Sequence, residues 1–312
     1  MRTIAIANQK GGCGKTTTAI NLSASLSRKG KRVLLVDSDP QAHATMGLNV
    51  DPAGLEKSLY NVLSPGERGG SSLEEVLKPI NDGLDLVPSS VILSAIEQEL
   101  SGREGRESRL MEAVGSLQSP YDFLIVDCPP SIGLLSINAL RACQEVIIPI
   151  EMSLFSLRGV AKLMEIVLLF KEHIGHEIRP RALITMYDFR TRYAQRVLEK
   201  VKESFGPDAF ESVIRYNIRL RETVDHGLPI MDYDKHSIGN KDYQMLAEEI
   251  LKADASRPEA GAVLEEMLAK THGCFDGMTD AGEEPRGSGT AAESGMPAES
   301  ASGAPASCSS LK

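Results

Sequence analysis

The densest chemistry in the chain lies near its amino terminus, in Gln9-Lys10-Gly11-Gly12-Cys13-Gly14-Lys15-Thr16-Thr17. Glycines let a backbone wrap a phosphate, so that the loop N–H groups and those of a following helix converge on the anion. A lysine beside the helix start reaches the outer phosphates, and the hydroxyl after it can bind Mg²⁺. Lys15 and Thr16 fit those two roles. The strict pattern GxxxxGK[ST] is not met, because its first glycine would fall on Gln9. What stands is KGGCGKT, with Lys10 as a second cation in an unusual position. Read blandly, Lys10 is a solvated lysine beside a tight turn, a weaker reading in this loop.

Three carboxylates extend the pattern. The run RVLLVD ends in Asp37-Ser38-Asp39-Pro40-Gln41, and FLIVD ends in Asp127-Cys128-Pro129-Pro130. Carboxylates at the carboxyl ends of parallel strands lie along the ligand crevice of an open α/β sheet. Phosphate-ester hydrolysis needs an acidic group near Mg²⁺ and a group that positions the attacking water. Asp37, Asp39 and Asp127 cover both needs. Taken singly, each would be a turn or cap residue. Their convergence with the loop on one sheet edge gives them weight.

Positioning these groups requires strands that end together. Apolar runs occur at Thr3–Asn8, Arg32–Asp37, Leu84–Pro88, Phe123–Asp127, Glu145–Ile150, Ala182–Met186 and Phe210–Ile214. Several are continuously apolar, as expected for strands covered on both faces by crossover helices. Helical patterns intervene at 15–29, 91–101, 132–142, 155–173, 190–205 and 237–252. The alternation predicts an α/β fold: a doubly wound, mostly parallel sheet with helices on both faces. The stripe Leu163, Ile166, Val167, Phe170 reads as core. Gly66–Ser72 reads as a mobile surface loop.

Residues 1–254 are expected to form one large α/β domain. A short helix or linker follows over 255–275, then an acidic tail over 276–312. In that last stretch 23 of 37 residues are Gly, Ala, Ser or Pro and none is aromatic, so it cannot bury enough surface to order itself. The 312 residues are 42% hydrophobic and 25% charged, an ordinary globular composition. No apolar run approaches the ~18 residues of a bilayer span, and MRTIAIANQK is not a secretory signal. Five scattered cysteines without CxxC spacing read as reduced thiols in a cytosolic protein. Net charge is −9, so binding to nucleic acid would need a local basic patch. One exists: Arg179–Arg221 holds ten Lys/Arg against five Asp/Glu. A solvated charged helix face is the competing reading.

At KGGCGKT, VLLVDSDPQA and FLIVDCPPSIGLLSINAL the sequence resembles the ParA/Soj partition ATPases, within the deviant-Walker P-loop family that also includes MinD. The resemblance runs from Met1 to about Leu251 and includes ITMYDFRT and NIRLRETVDHGLPIMDYD. It implies an ATP- and Mg²⁺-dependent ATPase of the cytoplasm, associated with the nucleoid. ATP joins two subunits into a homodimer, which binds DNA without sequence preference. A ParB-type partner stimulates hydrolysis and release, and no membrane is involved.

Residue by residue, Gly11, Gly12, Cys13, Gly14, Lys15, Thr16 and Thr17 match the nucleotide contacts. Lys10 resembles the signature lysine that reaches the partner's nucleotide. Thr16, Asp39 and Asp127 match the groups around Mg²⁺, with Lys10, Lys15 and Asp39 the catalytic set and Asp37 in support. Arg190 and Arg219 match DNA-contact arginines. Where family members often carry Ile-Pro-Arg-Asn near the adenine, this chain has Ile214-Arg215-Tyr216-Asn217. The loop begins within ten residues of Met1, which suggests the short chromosomal type without an operator-binding extension.

Other functions are weighed against this one. A MinD-like, membrane-cycling ATPase of the cell-division site would need a basic amphipathic carboxy-terminal helix, and 258–272 is of mixed, acidic charge; other cargo-positioning relatives, of flagella or chemoreceptor arrays, are the remaining alternative in this class. An iron–sulfur electron-transfer ATPase would need thiolates at a dimer axis. Cys128 and Cys143 are the candidate pair, and both read as buried small residues. A ligase relative on the same fold would need a second substrate site, and none stands out.

Overall fold

The three central strands are buried on both faces along their whole length, which explains why their sequences are continuously apolar. In a computed structural model, which describes residues 1–66, 69–152 and 154–253, the chain runs in order as follows. β1 (Arg2–Ile6), α1 (Lys15–Arg28), β2 (Val33–Asp37), α2 (His43–Met46), α3 (Leu59–Leu63) and α4 (Leu73–Val76) come first. Next are β3 (Lys78–Asn81), β4 (Leu84–Val87), α5 (Ile96–Glu99), α6 (Arg109–Gly115), β5 (Phe123–Asp127), α7 (Leu134–Ala142) and β6 (Glu145–Glu151). The chain then forms α8 (Leu154–Ile174), β7 (Arg179–Thr185), α9 (Arg192–Phe205), α10 (Arg219–His226), α11 (Ile230–Tyr233) and α12 (Ile238–Ala253).

The sheet has seven strands in the order β3-β4-β2-β5-β1-β6-β7. Every neighbouring pair is parallel except β3 with β4. Side chains alternate across it: Leu34 and Val36 enter one hydrophobic cluster, Val33 and Leu35 the other. The first cluster takes in α7, α8 and α9, where Leu163, Val167 and Phe170 are buried as expected; the second takes in α1 and α12. Register places Asp127 opposite both Ile6 of β1 and Asp37 of β2. Parallel pairing thus delivers the end of β1 and two carboxylates to one edge.

Six of the seven expected strands are present. Phe210–Ile214 is the exception. It lies along β7, with Phe210 N–H donating to Ala182 O and Ile214 N–H to Ile184 O, both at 2.9 Å. Between them the amides of Glu211 and Ser212 donate to the Glu249 carboxylate instead (2.8 and 2.9 Å), so no ladder forms. The antiparallel β3 was not anticipated, although Asp82-Gly83 is a hairpin signal. The helix expected over 91–101 is a 3₁₀ turn over Val91–Ala95 followed by the single-turn α5. The short α2, α3, α4 and α11, of four or five residues each, have too few residues to display a period. Residues 67 and 68 of the expected mobile loop, the helix or linker over 255–275 and the tail over 276–312 lie outside the described residues.

Candidate nucleotide site

The loop between β1 and α1 is shaped by backbone that demands glycine. Gly12 and Gly14 have φ of 73° and 90°, values L side chains rarely adopt. Gly14 is the N-cap of α1 and supplies no side-chain cap. The first amides of a helix have no acceptor within it, so Lys15, Thr16 and Thr17 present N–H groups at the loop mouth. Asn8 braces the entry: its amide donates to Pro149 O at 2.7 Å and its oxygen accepts Lys10 N–H at 3.1 Å. Cys13 is fully buried, with Sγ 3.2 Å from Lys10 O.

The two lysines take different paths. Lys15 is 7% exposed and folds across the loop, donating from Nζ to Lys10 O at 3.0 Å. Lys10 turns to β6, with Nζ 2.5 Å from Glu151 Oε2. Glu151 carried no signal in the sequence, because nothing local links it to a loop 141 residues away.

Two of the three aspartates are wholly buried, Asp37 and Asp127, and Asp39 is nearly so. Asp37 accepts from Thr45 N–H (2.8 Å), Thr45 Oγ1 (2.7 Å) and Asp39 N–H (3.2 Å). Burial pushes its carboxyl up to about 6 against those bonds. It organises the turn that carries Asp39. Asp39 accepts Gln41 N–H at 2.9 Å, and its carbonyl accepts the Ser89 hydroxyl at 2.6 Å. Neither oxygen of Asp127 has a hydrogen-bond partner. Burial, then the nearby Asp37 charge, raise its carboxyl well above the ordinary range, opposed by the Thr16 hydroxyl and the Lys15 ammonium.

A buried carboxylate without a donor is costly unless a cation offsets it. A hydroxyl and two carboxylates form a hard, oxygen-only set that suits Mg²⁺ completed by phosphates and water. Thr16, Asp39 and Asp127 therefore fit the ion. Among the described residues no group of three or more His, Cys, Asp or Glu forms a metal cage on its own.

Beside the loop, a small cleft is lined by Gly14, Thr17, Thr185, Ile214, Tyr216 and Asn217. It adjoins the glycine loop through Gly14 and Thr17. Its wall is held by Arg215, whose guanidinium and backbone N–H both donate to the Asp242 carboxylate. The missing proline is thus replaced by an ion pair.

Arg190 stands on the loop after β7, and Arg219 is the first residue of α10, reached through the neighbouring segment. Backbone bonds join Tyr187 to Ile214 and Tyr216, just before each arginine. Both side chains are open to solvent, 75% and 52% exposed. Each is already paired, Arg190 with Asp188 at 2.7 Å and Arg219 with Glu222 at 2.8 Å. Phe189, Tyr216 and Ile218 are exposed beside them. By contrast Cys128 and Cys143 are buried in the core, with thiol pKa values raised by burial.

A glycine loop joining strand to helix, two lysines within it and aspartates on the neighbouring strand ends define a P-loop nucleotide-binding protein of the doubly wound class. A family model described as an AAA domain matches residues 1–179. The chain is 41% identical over 249 residues to the sporulation initiation inhibitor protein Soj of Bacillus subtilis, covering 79% of this chain and 97% of Soj. It is 39% identical over 258 residues to the chromosome partitioning protein ParA of Myxococcus xanthus, covering 82% and 90%. Among solved structures, cobyrinic acid a,c-diamide synthase from Mycobacterium smegmatis, with bound ADP and magnesium, matches with a TM-score of 0.71 at 32% identity, covering 82% and 96%. The chain belongs to the Soj/ParA family of partitioning ATPases.

Proposed function

We propose that this chain is a DNA-segregation ATPase that hydrolyses ATP to ADP and phosphate and switches between DNA-bound and released states. The observation that carries the reading is a glycine loop opening into the uncapped start of α1, with the buried carboxylate of Asp127 close to Lys15 and Thr16 of that helix. Gly11 to Thr17 hold the phosphates, Lys15 neutralises them, and Thr16, Asp39 and Asp127 hold Mg²⁺. When bound, that ion offsets charge on the phosphates. Asp39, on a turn fixed by Asp37 and Ser89, orients the attacking water. The chain acts in the cytoplasm on the nucleoid.

Lys10 is the group that reaches a second copy. In the single chain it is tied to Glu151, a part-exposed pair of the kind worth about 1 kcal/mol or less. Moving a two-state switch from 1:99 to 99:1 takes about 5.5 kcal/mol, so the pair does not prevent crossing. The ATP-bound homodimer presents two sets of Arg190 and Arg219 to DNA phosphates, without reading bases, and a ParB-type partner triggers hydrolysis. The test is mass measurement in solution with ATP and Mg²⁺: wild type is expected to dimerise and Lys10→Ala to remain monomeric. An unchanged ATP-dependent dimer in Lys10→Ala removes Lys10 from the mechanism.

A further inference from the structure

Thr185, the last residue of β7, donates its hydroxyl to the Cys13 carbonyl at 2.8 Å in a buried contact. Its side chain lies 3.9 Å from where a Cβ on Gly14 would stand, so it rests against the point where the loop becomes α1. The next residue, Met186, has φ of 54°. A residue with a Cβ keeps left-handed backbone only where its surroundings hold it there. Both neighbours do so. Thr185 is tied to Cys13, and Tyr187 donates to Ile214 O at 3.0 Å and accepts from Tyr216 N–H at 3.1 Å. Three consecutive residues therefore join the glycine loop to the loop that carries Arg190 and to the segment that leads into Arg219 at the start of α10.

The Cys13 carbonyl shares a rigid peptide plane with the Gly14 N–H. Any rotation that aims this N–H at an anion also rotates the carbonyl that Thr185 holds. We infer that Thr185 is a positioning residue, which transmits the state of the glycine loop through the constrained backbone of Met186 to the segments that carry Arg190 and Arg219. The inference rests on the DNA-binding reading given above and names how nucleotide controls that surface.

The test uses the full chain, a fluorescent ATP analogue and a random-sequence duplex. Thr185→Val keeps the shape and deletes the hydroxyl; Thr185→Ser restores it. Thr185→Val is expected to bind the analogue within about threefold of wild type and to dimerise with it. Its ratio of duplex affinity with ATP to that with ADP is expected to fall about tenfold, within the usual range of coupling between sites. Thr185→Ser should recover the ratio. Met186→Gly, which frees the backbone, should lower the ratio by a smaller factor of about three. Hydrogen exchange reads the same link without DNA: on adding ATP, amides 186–191 and 214–219 should gain protection in wild type and not in Thr185→Val. An unchanged ratio and unchanged protection in Thr185→Val overturn the inference, as does loss of dimerisation together with the ratio. Failure of the broader DNA reading would show differently, as a wild type that binds duplex equally with both nucleotides. Should Thr185→Val not fold, Met186→Gly and Thr185→Ser carry the same comparison.

Discussion

The loop edge between β1, β2 and β5 and the arginine edge beyond β7 are built on opposite principles. At the first, Lys15, Asp37, Asp39 and Asp127 are buried and their geometry is set by strand register. At the second, Arg190 and Arg219 are exposed and neutralised by Asp188 and Glu222. A buried site gains strength from low dielectric and from the high cost of misplacing its charges. An exposed basic surface acts through displaceable ion pairs and long-range field, both weakened by salt. The first can hold a specific ligand chemistry. The second is of the kind that the proposed, sequence-indifferent binding to duplex phosphates would need.

This contrast can be broken most sharply at Asp39. Asp39→Ala is expected to lower ATP turnover by about 100-fold or more while leaving nucleotide affinity near wild type. A steady-state phosphate-release assay with a parallel binding titration checks it. At the other edge, Arg219→Ala should weaken duplex binding about tenfold and reduce the log–log salt slope by about 0.9 for each phosphate lost. Turnover without DNA should be unchanged. Affinity measured across a salt series decides this, and an unaltered slope would show that Arg219 does not contact phosphate.

Asp127 tests the idea that the buried edge trades stability for binding. Its carboxyl is raised by burial, so the folded state favours the protonated form. That contribution is full below the unfolded carboxylate pKa and is lost as pH rises through the raised value. Asp127→Asn, which mimics the protonated group, should gain less over wild type at pH 5 than at pH 8. At pH 8, without nucleotide or Mg²⁺, it should be more stable by about 1–2 kcal/mol. Thermal melts at the two pH values show this, and equal stability at pH 8 would count against it. The smallest effect lies at Asp188, whose carboxyl is held down to about 2 by the Arg190 guanidinium. Asp188→Asn should free Arg190 and raise duplex affinity about twofold.

The two edges also differed in how far the sequence revealed them. KGGCGKT, Asp37, Asp39 and Asp127 were legible because the loop is contiguous and the carboxylates end apolar runs that parallel pairing brings together. Thr45, Ser89, Thr185 and Glu151 were not. Each meets the site across long sequence separations, such as the 172 residues between Thr185 and Cys13, and none belongs to a local pattern. The basic excess over Arg179–Arg221 was visible as a count. Its pairing with Asp188 and Glu222 was not, because charge arithmetic does not tell which carboxylate faces which arginine. Phe210–Ile214 had strand composition, yet Glu249 from α12 took two of its amides.

The most direct measurement of the account is wild-type binding to a random-sequence duplex with Mg²⁺ and either a non-hydrolysable ATP analogue or ADP, at one salt concentration. Binding at least about tenfold tighter with the triphosphate is expected. Equal affinity with the two nucleotides would contradict a switch run from the glycine loop.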